Sequence, residues 1–184
     1  MQFFPTKKPS LLITILLPAA LFFSPLPPVE GSGRSDSLES RLERRYRDVP
    51  AVMENEEVHQ LIKSGRIPSE IYLLDTRSPE EWEVSRLPGA TFVDYRKFSV
   101  EQLAHIPTDA TIVLYCAAGR RSGNVGEALR EAGYTDVRDM YGGILLWAEE
   151  GYPLVNDDGP VDRVHGSRRW YGNRLENPEV EVVY

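Results

Sequence analysis

The chain has 184 residues, room for one ordinary domain plus terminal extensions, and its 41% hydrophobic and 27% charged residues mark a globular protein that buries a core. A formal net charge of −7 argues against general binding to DNA, RNA or anionic lipid, so positive charge acts only locally. The single cysteine, Cys116, excludes an intramolecular disulfide, and stability must come from packing.

The N-terminus differs from the rest. Lys7 and Lys8 precede an apolar run over residues 11–23 that contains Pro18, which is the layout of a secretory signal. The run is too short to span a bilayer comfortably as a helix. Residues 1–30 therefore read as a signal peptide or an N-terminal anchor, because residues 24–33 offer no proline-free small-x-small cleavage triplet. The chain is expected to be exported, to a bacterial periplasm, with membrane contact only through an uncleaved N-terminus. Cutting before Gly31 would remove Lys7, Lys8 and Glu30, leaving 19 basic against 27 acidic residues and a charge of −8.

Residues 31–53 read as a Pro/Gly/Ser-rich linker followed by a short amphipathic helix on which Leu38, Leu42, Tyr46 and Val49 recur every three or four residues. Arg41, Arg44, Arg45 and Arg47 are expected to form its solvated face. A second helix is predicted over residues 54–64, ending at Gly65. Residues 71–75, 90–93, 111–115 and 137–140 are then apolar or β-branched runs without polar alternation, as in strands covered on both faces. Helix-like segments at 79–85, 99–105, 122–132 and 143–150 alternate with them. The order predicts an α/β domain of three layers around a mostly parallel central sheet, over residues 54–155.

In such folds the active crevice lies beyond the C-terminal ends of the strands, where Asp75 and Cys116 fall. Cys116 is followed by Ala117, Ala118, Gly119, Arg120, Arg121 and Ser122, then by Val125, Ala128, Leu129 and Ala132 at helical spacing, with Ser122 as N-cap and Gly133 as C-cap. A cysteine facing a helix N-terminus beside two arginines should ionise more easily than a free thiol. A free cysteine is more often a small buried hydrophobe. That alternative gives Gly-Arg-Arg-Ser no purpose. Backbone N–H groups of residues 117–121 are expected to converge on the sulfur, with Gly119 allowing the tight curl.

Trp82 and Trp147 read as core aromatics, and His59, His105 and His165 as surface or capping residues without metal-ligand spacing. No metal or cofactor is expected. Residues 156–184 form a C-terminal extension in which Trp170 should anchor the tail while Arg163, Arg168, Arg169 and Arg174 stay solvated, the alternative being that this cluster around Trp170 and Tyr171 recruits an anionic partner.

Four segments resemble one family. They are Asp75-Thr76-Arg77-Ser78-Pro79-Glu80-Glu81-Trp82, Leu87-Pro88-Gly89-Ala90, the loop from Cys116 to Ser122, and Tyr141-Gly142-Gly143-Ile144 with Trp147 and Gly151-Tyr152-Pro153-Leu154. In this order they are similar to a single-domain rhodanese-like sulfurtransferase. The resemblance implies that Cys116 takes a sulfane sulfur from a donor such as thiosulfate and passes it, as a persulfide, to cyanide or a thiol. Residues 117–122 would hold the donor, with Arg120 and Arg121 each a candidate for its sulfonate or for bracing the loop. Asp75 and Arg77 are expected to pair near the crevice in a structural role. Ser85-Arg86 replaces the family's frequent Gly-His, and Ala117 stands where thiosulfate-using relatives commonly have Arg. Arg121 lies five positions after Cys116, as in the sulfurtransferase branch, whereas related phosphatases place it six after. The other readings are a sulfur-carrier or binding module and a redox sensor. Partners are expected to be small donor and acceptor molecules, not nucleic acid.

Overall fold

The computed structural model describes residues 38–184, so the signal or anchor reading of residues 1–30 lies outside the described residues. Among those described, no helix is long and apolar enough to cross a membrane.

Five parallel strands form the central sheet: β1 (Val52–Met53), β2 (Tyr72–Asp75), β3 (Thr91–Phe92), β4 (Thr111–Tyr115) and β5 (Asp136–Met140), in the order β1-β5-β4-β2-β3. Their unbroken apolar character has a direct cause. On one face Leu73, Val113 and Tyr115 join Val58, Ile144 and Trp147; on the other Leu74, Ile112 and Leu114 join Val125, Leu129 and Val137. Helices cover both faces, which gives the three-layer α/β arrangement.

The helices are α1 (Leu38–Tyr46), α2 (Asn55–Lys63), α3 (Arg66–Ser69), α4 (Pro79–Val84), α5 (Arg120–Glu131) and α6 (Gly143–Glu149). Ser78 caps α4 in a reciprocal capping box with Glu81, and Pro79 occupies the first turn. Residues 99–105 do not form the expected α-helix. Only a 3-10 turn, Val100–Leu103, is present, and Leu103 and Ile106 are buried at the three-residue spacing that such a turn stacks. The α5 helix begins two residues before the expected start. Gly119, with φ +84°, is its N-cap, and Ser122 lies inside the first turn.

Residues beyond 153 add two small sheets. A hairpin joins β6 (Leu154–Asn156) to β7 (Gly159–Val161), and β8 (Arg163–His165) pairs in parallel with β9 (Glu181–Val183) across α7 (Arg169–Gly172). Trp170 is not the anchor expected of it: it is 36% exposed and stacks on Tyr171. Fully buried Val164, with Leu175, Val180 and Val182, joins the main core instead. Trp82 is likewise half-buried rather than core, sandwiched between Phe92 and the Arg86 guanidinium, while Trp147 is fully buried.

Candidate active site

Cys116 follows the last residue of β4 and is 2% exposed. The loop after it is held by its carbonyls. Ile144 N–H donates to Cys116 O at 2.9 Å and Leu145 N–H to Ala117 O at 3.2 Å, so the start of α6 pins the first half. Arg45 of α1 donates to Gly119 O at 3.2 Å and Arg120 O at 3.0 Å, pinning the second half. Arg45 was expected on a purely solvated face; it is exposed, yet its guanidinium braces the loop. Tyr46 donates to Met140 O at 2.8 Å and its phenol fills the space where a side chain at Gly119 would stand. The glycine is therefore required by packing as well as by its φ.

Ser122, fully buried, donates to Cys116 Sγ at 3.7 Å. It is not the N-cap. Its hydroxyl lies between the Cys116 sulfur and the Asp139 carboxyl, within reach of both.

The two arginines separate. Arg121 makes two hydrogen bonds to Glu81, at 2.5 and 2.7 Å, while Glu81 also accepts from Ser78 N–H at 3.0 Å. Burial opposes the Arg121 charge, but Glu81 and the neighbouring Cys116 outweigh it and hold its pKa above the ordinary arginine value. Burial likewise opposes the Glu81 charge, and the Arg121 bonds more than offset this, leaving its carboxyl at about 2. Arg121 thus ties the loop to α4. Arg120 is exposed and makes no ion pair among the described residues.

Because the Glu81 pKa is lowered on folding, its stabilisation is complete above about pH 4.5 and is lost as pH falls towards 2. Glu81→Gln, which leaves Arg121 without its carboxylate, should lower stability by about 3 kcal/mol in urea titrations at pH 7. The difference from wild type should shrink below pH 4. A change under about 0.5 kcal/mol at pH 7 would remove the pair as the brace.

Asp75 and Arg77 pair as expected, with Nε–Oδ distances of 2.9 and 3.0 Å and Nη2–Oδ2 of 2.7 Å, both side chains fully buried. Arg77 also donates to Ser85 O at 2.5 Å. The pair fixes the turn that carries Ser78 and Glu81, and it does not line the cavity at the loop mouth.

Behind the loop, Asp139 of β5 is 1% exposed. Burial raises its carboxyl to about 6, with Ser122, Arg130 and Arg45 pulling down only in part. A raised carboxyl costs stability as pH rises from about 3.8 through 6. Asp139→Asn should therefore stabilise the protein by about 1–2 kcal/mol at pH 8 and not at all below about pH 4, as read by urea melts. Destabilisation at pH 8 would contradict this.

A cavity of about 390 Å³ opens at the loop mouth, lined by Ala117, Arg120 and Arg121 and by Glu81. Its far wall comes from the C-terminal segment, through His165, Ser167, Arg168 and Tyr171. His165, expected at the surface or as a cap, accepts from Ser167 N–H at 3.0 Å, and Arg168 is exposed as expected; no local pattern marks the position of either at this cavity. The capping box Ser78-x-x-Glu81 was the one readable signal for the Glu81 brace.

Residues 54–150 match the family model described as a rhodanese-like domain. A sulfurtransferase of Allochromatium vinosum is 32% identical over 49% of this chain and 83% of its own length. A probable adenylyltransferase/sulfurtransferase of Mycobacterium tuberculosis is 37% identical over 53% of this chain, but only 24% of that protein is spanned. Among solved structures, a thiosulfate sulfurtransferase from Pseudomonas aeruginosa aligns with a TM-score of 0.51 at 24% identity, over 58% of this chain and 20% of that one. The rhodanese-like domain of the Anabaena Alr3790 protein aligns at 0.51 and 18% identity, over 57% and 78%. Both structures share the fold.

Proposed function

Because the chain belongs to the rhodanese-like domain family, we propose that it transfers a sulfane sulfur from a small donor such as thiosulfate to cyanide or a thiol through a persulfide on Cys116. The observation that carries this reading is the loop itself: one thiol at the end of β4, facing the first turn of a twelve-residue helix, with its carbonyls tied outward to α1 and α6.

The Cys116 thiolate attacks the outer sulfur of thiosulfate. The Sγ–S bond forms, the donor S–S bond breaks, and its electron pair leaves with sulfite. Cyanide then attacks the terminal sulfur, giving thiocyanate and restoring the thiolate. This is covalent catalysis in two half-reactions, and ping-pong kinetics are expected. Outward-facing carbonyls leave the loop N–H groups and the α5 terminus to stabilise the anionic sulfur. Arg121 supports the loop from α4, and Arg120 is the residue free to meet the donor's sulfonate.

The basic and apolar N-terminal run supports export, so the enzyme acts outside the cytoplasm, as a periplasmic protein or one held by its N-terminus. Steady-state assay of thiosulfate with cyanide tests the transfer. Parallel double-reciprocal lines are the expected result; persulfide formed once without turnover would assign the domain as a carrier.

A further inference from the structure

The C-terminal segment lies outside the stretch matched by the family model, yet it supplies one wall of the cavity at the Cys116 loop. Its placement is built in. Val164 is fully buried, β8 pairs with β9, and Gly166 N–H donates to Val183 O at 2.9 Å. Ser167 takes a left-handed φ of 60°, rare for a residue with a side chain, and its N–H donates to His165 Nδ1 at 3.0 Å. The Arg168 carbonyl accepts from Tyr171 and Gly172 N–H groups at 2.8 and 3.2 Å. The backbone on both sides of Arg168 is thus fixed. Its guanidinium is exposed at the cavity and has no ion pair or hydrogen bond among the described residues.

Arg96 and Arg120 line the same cavity, also without ion pairs among the described residues. The acidic lining groups are Glu80 and Glu81, and Glu81 is committed to Arg121. The remaining net charge is positive, Arg96, Arg120 and Arg168 against Glu80, in a space of about 390 Å³ beside the Cys116 loop. Such a space admits a small oxyanion. Guanidinium groups suit an oxyanion because their N–H donors match its oxygens in pairs.

We propose that Arg168 is a donor-specificity residue: with Arg120 it binds the anionic end of the sulfur donor, so that the C-terminal segment selects small anionic sulfane donors. The inference rests on the Cys116 sulfur-transfer reading and adds the group that recognises the leaving sulfite portion.

The test uses the full chain and two reagents. Thiosulfate carries the charge. Methyl methanethiosulfonate is its neutral analogue: Sγ bonds to the thiomethyl sulfur and the electron pair of the broken S–S bond leaves with methanesulfinate. Arg168→Ala should raise the half-saturating thiosulfate concentration about tenfold, the equivalent of one charge-assisted hydrogen bond, with the limiting rate within about twofold. Its reaction with the neutral reagent should match wild type. Arg168→Lys, which keeps the charge but not the paired donors, should recover only part of the lost affinity, and Arg169→Ala, one residue on and outside the cavity lining, should change nothing. Unchanged thiosulfate dependence in Arg168→Ala, or equal slowing with both reagents, would overturn the inference alone. Failure of wild type to take sulfur from thiosulfate would overturn the reading beneath it as well.

Discussion

Cys116→Ser is expected to reduce thiocyanate production from thiosulfate and cyanide to the uncatalysed level. A serine hydroxyl is a poor nucleophile without a base to take its proton, and the loop supplies none: Arg121 is bound to Glu81, and Ser122 can offer only another hydroxyl. The substitution removes one polarizable atom from a site that is 2% exposed, so the fold should persist. Equal melting curves for variant and wild type, together with lost turnover, would assign the loss to chemistry. Residual activity above a few per cent would place the nucleophile elsewhere.

Gly143→Ala is expected to have the largest effect on stability, about 4 kcal/mol or more by urea titration. Two causes add. Gly143 has φ +62°, and a Cβ there would run into the carbonyl oxygens of Cys116 and Ala117, the latter at 2.8 Å. Those are the carbonyls that Ile144 and Leu145 N–H groups hold, so the clash cannot be relieved without pulling α6 off the active loop. Gly133→Ala is the comparison. Its φ of +95° is also unfavourable, but a Cβ there meets nothing within 4 Å, and a cost of about 1–2 kcal/mol is expected. Similar losses at the two positions would show that backbone conformation alone, without the close approach of α6, explains the glycine.

That contrast shows what the residues made legible and what they did not. The run Thr111–Tyr115 was readable because a parallel strand buried on both faces carries no polar alternation. The Cys116 loop was readable from its own composition. The start of α5 was misplaced because Ser122 has a capping side chain, whereas Gly119 ends the loop by adopting a conformation that leaves no side-chain mark. The edge strand Val52–Met53 is too short for any periodicity to show.

The division of labour between Arg120 and Arg121 depends on Glu81, forty residues earlier, and local pattern could not supply it. The same holds for Arg45, whose helix looked merely amphipathic, and for His165 and Arg168. They reach the cavity because Val164 is drawn into the core, which carries the turn after β8 to the loop mouth. In each case a contact distant in sequence set the role of a residue whose neighbours gave an ordinary surface pattern.

Intact mass of the purified full chain, before thiosulfate, after thiosulfate and after subsequent cyanide, shows whether Cys116 carries the transferred sulfur. A gain of about 32 Da with thiosulfate, reversed by cyanide and absent in Cys116→Ser, is the expected result. A mass that does not change with thiosulfate, or a gain that survives in the serine variant, would contradict it.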